Sequence, residues 1–223
     1  MVVLAWRCAA WLLASLLLAG GNGPVEVLVD EVVATVNRQV ITRSEVVQEG
    51  WLILVQRYGS DALQRKLTPK FLSQVLELLV NQRVLSLEAL RLGLPPVTDQ
   101  QRSRLLEGFR RRFDGEEQYR RFLYRHDYTE EAIAETLARH LWIERLKKRK
   151  LRSLPEVTDE QVREYYERHR LQLGAKPLAL VAEAIRLKLL TRRREKFLAR
   201  WLWQLRRQSE VRILVDFSEG GEG

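Results

Sequence analysis

Cysteine occurs once in this chain, as Cys8, and histidine three times, as His126, His140 and His169. One thiol excludes an intramolecular disulfide, a CxxC pair and a disulfide framework. Because Cys8 sits in the apolar N-terminal stretch, removal of that stretch would leave no thiol at all, which suits an oxidising compartment. No two histidines have the helical spacing of a zinc site, and no glycine-rich loop is built to cradle phosphate. Gly20-Gly21 and Gly220-Gly221 lie near the ends, away from any strand–helix turn. The acidic pairs Glu130-Glu131 and Asp159-Glu160 open helices, where carboxylates oppose the positive end of the helix dipole. The expectation is therefore no catalytic, cofactor-binding or metal-binding residue.

Long apolar runs are scarce too. The one from Cys8 to Ala19 is too short for a comfortable membrane span. With Arg7 before it and Ala19-Gly20-Gly21 after it, residues 1–21 read as a signal peptide cleaved after Gly21, an uncleaved anchor being the alternative. No cysteine follows the run where a lipoprotein signal would need one. The stretch therefore implies export. The chain as a whole is 46% hydrophobic and 30% charged, with a net charge of +9 and a pI near 10.0. That balance favours acidic partners, whether nucleic acid, anionic lipid or negatively charged unfolded chains, and selects none of them.

What is present begins at Asp30–Glu45. Val32 to Val36 is rich in β-branched residues suited to a pleated, half-buried surface. Asn37-Arg38-Gln39 reverses the chain, Asn being tolerant of left-handed backbone, and Val40-Ile41 resumes the strand. Thr42-Arg43-Ser44-Glu45 has capping-box spacing, with the Thr42 hydroxyl taking the Glu45 amide and the Glu45 carboxylate returning to the Thr42 amide. A two-stranded hairpin is marginal alone. The one remaining strand candidate is Val211–Val215, so the two ends of the chain are expected to meet.

Between them lie helices. Thr68-Pro69 opens one that reaches Leu92, apolar on most faces and so expected to be central. Gly93 is placed for a left-handed cap, and Pro95-Pro96 prevents a restart. Thr98–Gln101 and Thr158–Gln161 are capping boxes; Asp114-Gly115 breaks the helix that turns Leu105, Leu106, Phe109 and Phe113 to one side. Glu116 to Arg125 forms a short helix, and Thr129 starts a longer one with Ile133, Leu137, Leu141 and Leu146 inward. A last long helix spans Leu178 to Gln208. The organisation reads as a signal (1–21), a linker (22–27), an N-terminal region (28–154), C-terminal helices and strand completing the same core (155–217), and a disordered tail (218–223).

Three segments carry a resemblance: Asp30 to Val46 with its Val-Ile-Thr, the helix around Val75 to Ala89, and the order Val97-Thr98-Asp99, Phe122-Leu123, Thr129-Glu130-Glu131. In that order they resemble the SurA-like periplasmic chaperones, the non-catalytic part of SurA and PpiC-type foldases, over residues 28–217. The resemblance implies a mainly α fold, a SurA-like chaperone core with a small sheet. It also implies an ATP-independent holdase for unfolded polypeptides, chiefly outer-membrane β-barrel precursors. The family usually inserts a parvulin prolyl-isomerase domain of roughly a hundred residues after Thr158–His169. Here Leu173-Gly174-Ala175-Lys176-Pro177 leads straight into the last helix, and no segment around the histidines resembles that domain, so no isomerase activity is expected despite the family label.

The aromatic residues are the candidates for a polypeptide-binding surface: Trp51, Phe109, Phe113, Phe122, Tyr124 and Trp203. Trp201 and Trp203 stand two apart on a helix, so one of them is expected outside, and an exposed apolar patch marks an interaction site. The basic clusters Arg110–Arg112, Lys147–Lys150, Arg192–Arg194 and Arg206-Arg207 each interrupt an amphipathic helix and read as solvated faces whose stems cover apolar surface. Two rival functions remain open, an envelope assembly subunit docking one partner and a basic nucleic-acid-binding helical protein. The latter requires residues 1–21 not to be a signal.

Overall fold

The computed structural model describes residues 30–174 and 176–217. The expected signal peptide, linker and tail lie outside the described residues. The described elements are β1 (Val32–Val36), β2 (Gln39–Thr42), α1 (Arg43–Tyr58), a 3₁₀ turn (Gly59–Gln64), α2 (Pro69–Arg91), α3 (Asp99–Arg110), α4 (Glu116–Arg125), α5 (Glu130–Leu151), α6 (Asp159–His169), α7 (Leu178–Arg207) and β3 (Val211–Ile213). The architecture is mainly α with one three-stranded antiparallel sheet in the order β2-β1-β3.

The sheet is made by residues from the two ends of this span. Val36 pairs with Gln39, which leaves Asn37-Arg38 as a two-residue turn, and Asn37 takes the left-handed conformation at φ 52°. Its amide donates to the Glu210 carbonyl at 2.7 Å, and its Oδ1 accepts from the Glu210 amide at 2.8 Å. The turn is thus tied to the residue that precedes β3. β3 is shorter than its sequence suggests, ending at Ile213 rather than Val215. Its line continues in one bond, from the Leu214 amide to the carbonyl of Val33 at 2.9 Å, beside the register shift of β1.

Local capping explains the helix starts. Thr68, Thr98, Thr129 and Thr158 each accept a backbone amide at the third helical position, and Thr98 and Thr158 complete reciprocal boxes with Gln101 and Gln161. The box expected at Thr42 forms only by half. Thr42 accepts the Glu45 amide, but the Glu45 carboxylate binds Arg83 of α2 instead, because a neighbouring cation in a half-buried site outbids a backbone amide. α2 ends in a Schellman turn: Gly93, at φ 60°, donates to the Leu90 carbonyl and Leu94 to the Ala89 carbonyl, both at 3.0 Å.

α2 is central, packing on β1, β2, α1, α5 and α7. One core joins the inner residues of the sheet, such as Val33, Val36 and Ile41, to Val75, Leu76 and Leu79 of α2. A second is aromatic, with Phe109, Phe113, Tyr119, Phe122 and Tyr128 packed beneath Leu52 and Val55 of α1. A third seats Trp201 of α7 against Leu85 and Ala89 of α2 and Ile143 and Leu146 of α5. Ile143 faces inward here, while Leu141 is only half-buried. A fourth cluster is formed by Val162, Tyr165 and Tyr166 of α6 with Ile185 of α7. α7, about 45 Å long at 1.5 Å per residue, therefore anchors in the main body by its second half and holds α6 with its first.

Asn37→Ala should lower stability by about 2 kcal/mol, combining about 1 for a left-handed non-glycine residue with about 1 for the lost bond to Glu210. Asn37→Gly, which restores the backbone but not the bond, should recover about half of that loss. Urea unfolding of the two variants checks both values.

Candidate functional site: a groove between the last two helices

At the junction of α1, α2 and α5 the apolar packing is interrupted by a polar network. Glu49, only 2% exposed, faces His140 with 2.7 Å between Oε1 and Nε2, and accepts from Gln82 Nε2 at 3.0 Å. One turn earlier on α1, Glu45 pairs with Arg83, and Arg139 lies 3.8 Å away. Burial pushes the Glu49 carboxyl up, but the hydrogen bond and charge of His140 and the bond from Gln82 outweigh it and hold the group below its usual range. A cleft of about 360 Å³ opens above, walled by Ile53, Leu78, Leu85, Ile143 and Leu202. The network fixes how three helices meet. Among the described residues no cluster of His, Cys, Asp and Glu is placed to hold a metal ion, and no helix is long and apolar enough to cross a membrane.

The larger opening lies between α6 and α7, a groove of about 740 Å³. Its apolar lining comes from Leu154 and Pro155 before α6, Tyr165 on α6, and Leu189 and Phe197 on α7. Tyr165 stacks on His169 with ring centroids 4.0 Å apart and an interplanar angle of 13°, so one side of the floor is rigid. Arg193 closes the end of α6 by donating to the carbonyls of Pro155 and Glu156 at 2.7 and 2.8 Å and to Gln161 Oε1 at 2.7 Å. Arg168 pairs with Glu164 at 3.0 Å on the opposite rim. Arg192, Lys196 and Arg200 line the remaining rim. Chemically the arrangement offers an open trough with an apolar floor and charged borders.

The six aromatic candidates are not brought together. Phe109, Phe113 and Phe122 are buried in the aromatic core, their rings 5.1 to 6.0 Å apart, packed with Leu52 and Val55 of α1 and Ile133 and Leu137 of α5. Trp51 is half-buried, its ring 4.3 Å from that of His126 and tilted 37° to it. Tyr124 is 92% exposed and Trp203 56%, on separate helices, while Trp201 is the inward member of its pair. The groove residues Tyr165, Leu189 and Phe197 were outside that selection. Their signal was legible only as apolar positions on two helices whose mutual packing the sequence does not state.

The basic clusters are likewise more than solvated faces. Arg112 donates to the Gln56 carbonyl at 2.6 Å, and Arg206 to Glu77 and Asn81 of α2 at 2.6 and 3.1 Å. Lys150 lies 5.4 Å over the ring of Trp201. These cations fasten one element to another.

The fold is a helical body with a hairpin and a distant strand joined in one sheet, and an open groove lies between its last two helices. The chain belongs to the SurA-like N-terminal domain family, whose profile matches residues 3–147. A search of curated proteins returned no match.

The titrating groups give a pH dependence. Burial, with Arg125 beside it, holds His126 below the usual histidine range, so below pH ~6.5 the unfolded chain binds the extra proton and stability falls as pH falls. Glu49 adds a second loss: its folded-state value is depressed, so its contribution is complete above pH ~4.3 and disappears as pH drops through the folded value. Urea midpoints measured from neutral to acidic pH should decline in these two windows, and His126→Phe should flatten the first alone.

Proposed function

We propose that this protein is an ATP-independent chaperone of the periplasm that holds unfolded polypeptides, outer-membrane β-barrel precursors foremost. The observation that carries the reading is the open groove between α6 and α7, apolar along its floor and charged along its rims, on a chain of the SurA-like N-terminal domain family. An apolar trough accepts side chains that a folded client would bury. Binding the unfolded form alone withdraws it from aggregation by mass action. Charged borders keep the empty groove soluble, since long Arg and Lys stems cover apolar surface while their heads stay in water.

Export rests on the N-terminal Arg7, the apolar run Cys8–Ala19 and the small residues after it. Prolyl-isomerase catalysis is not part of the proposal: α6 ends at His169 and α7 begins at Leu178, so the family's insertion point is occupied by a short link.

The test is the retention of a urea-diluted, fluorescently labelled outer-membrane barrel protein, with its folded form and a DNA duplex as controls. Suppressed light scattering and binding of the unfolded barrel alone are expected. Phe197→Ser should weaken that binding about tenfold through the lost apolar contact while leaving the urea midpoint nearly unchanged, Phe197 being half-buried. Absence of binding to the unfolded barrel would overturn the reading, and salt-sensitive binding to duplex alone would replace it.

A further inference from the structure

Lys188, Arg192, Lys196 and Arg200 stand at every fourth position of α7. That spacing sets side chains in one row on a helix, about 6 Å apart. The last three line the groove, and Lys188 lies one turn earlier with its Nζ 5.4 Å over the Tyr165 ring. The neighbouring cations are engaged: Arg186 with Asp159 and Glu183, Arg193 with the start of α6, Arg168 with Glu164. Arg192, Lys196 and Arg200 have no hydrogen-bond, ion-pair or ring partner among the described residues. Like charges four apart destabilise a helix, so the row by itself opposes folding of α7, whose seating rests on Ile185 and Trp201 instead.

An extended polypeptide repeats same-side residues about every 6.8 Å, close to the 6 Å step of this row. Over two steps the mismatch is about 1.6 Å, within the reach of flexible Lys and Arg side chains. Beside the row, Leu189, Phe197 and Tyr165 provide the apolar floor. We infer that the groove selects extended segments with Asp or Glu at alternate positions and apolar residues between them. The apolar face lies on the floor, and the three cations reach over the acidic face. This deepens the chaperone reading and rests on it. A single-stranded nucleic acid fits less well, because it binds by stacking successive bases on several aromatic faces, and with Tyr165 buried and stacked on His169 the groove is left with Phe197 alone.

The experiment is fluorescence anisotropy of the full chain with short labelled peptides: one alternating Asp and Val, one with the same residues in two blocks, and one alternating Ser and Val. Oligothymidylate and a urea-diluted, unfolded client low in acidic residues complete the set. The alternating acidic peptide should bind about tenfold tighter than the other two, with the difference shrinking as salt rises. The combined variant Arg192→Gln, Lys196→Gln, Arg200→Gln should abolish that preference and still bind the low-acid client. The charge-matched variant Arg38→Gln, Arg104→Gln, Lys148→Gln should retain it. Equal binding of the blocked peptide, an unchanged preference in the first variant, or tighter binding of oligothymidylate would each overturn the inference. If the low-acid client is held throughout, only this inference falls; if the chain holds no client and no peptide, the chaperone reading falls with it.

Discussion

The pairing of β1 on both of its edges is the constraint on which the rest depends. β2 follows immediately, so that edge closes cheaply, but a hairpin of this size is marginal by itself. The other edge is filled by β3, and the Asn37–Glu210 contact joins residues 173 apart in the chain. Loop-closure entropy grows only logarithmically with length, so a distant strand is affordable once its helix is seated. α7 supplies that seat: Trp201 enters the core of α2 and α5, and Arg206 is fixed to Glu77 and Asn81. With its second half held there, its first half is free to carry α6 and the groove.

Charge plays two roles along α7, and the structure separates them. Arg186, Arg193 and Arg206 are spent on joining elements, each through a short donor contact to a carboxylate, amide or carbonyl. Arg192, Lys196 and Arg200 are the remainder that faces the groove. A net positive sequence alone favours acidic partners without saying where they bind; the division into fasteners and an unpaired row gives the charge a position.

The buried network of Glu49, His140 and Gln82, with Glu45, Arg83 and Arg139 beside it, has a different consequence. Charges taken out of water are tolerated only in good mutual geometry. Each helix of the trio contributes at least one member, so the orientation of α1, α2 and α5 is tied to keeping these contacts. Glu49, held below its usual range, ties this packing to pH.

Short-range physics was legible in the residues themselves. Threonine hydroxyls at helix starts, Asn37 in its turn, Gly93 after α2 and the β-branched run of β1 act within a few positions, so element order, the hairpin and the mainly α class follow from sequence. The meeting of the two ends was legible because only one further strand candidate could complete the hairpin. Other features depended on which faces meet. Phe109, Phe113 and Phe122 are alike in sequence to exposed aromatics, and only their packing against α1 and α5 buries them. Glu45 had a local partner in Thr42 and a distant one in Arg83, and the nearness of α2 decided between them. The row on α7 was present in the sequence all along, but that Arg192, Lys196 and Arg200 are left at the rim is a tertiary fact, because only packing determines which cations find a carboxylate.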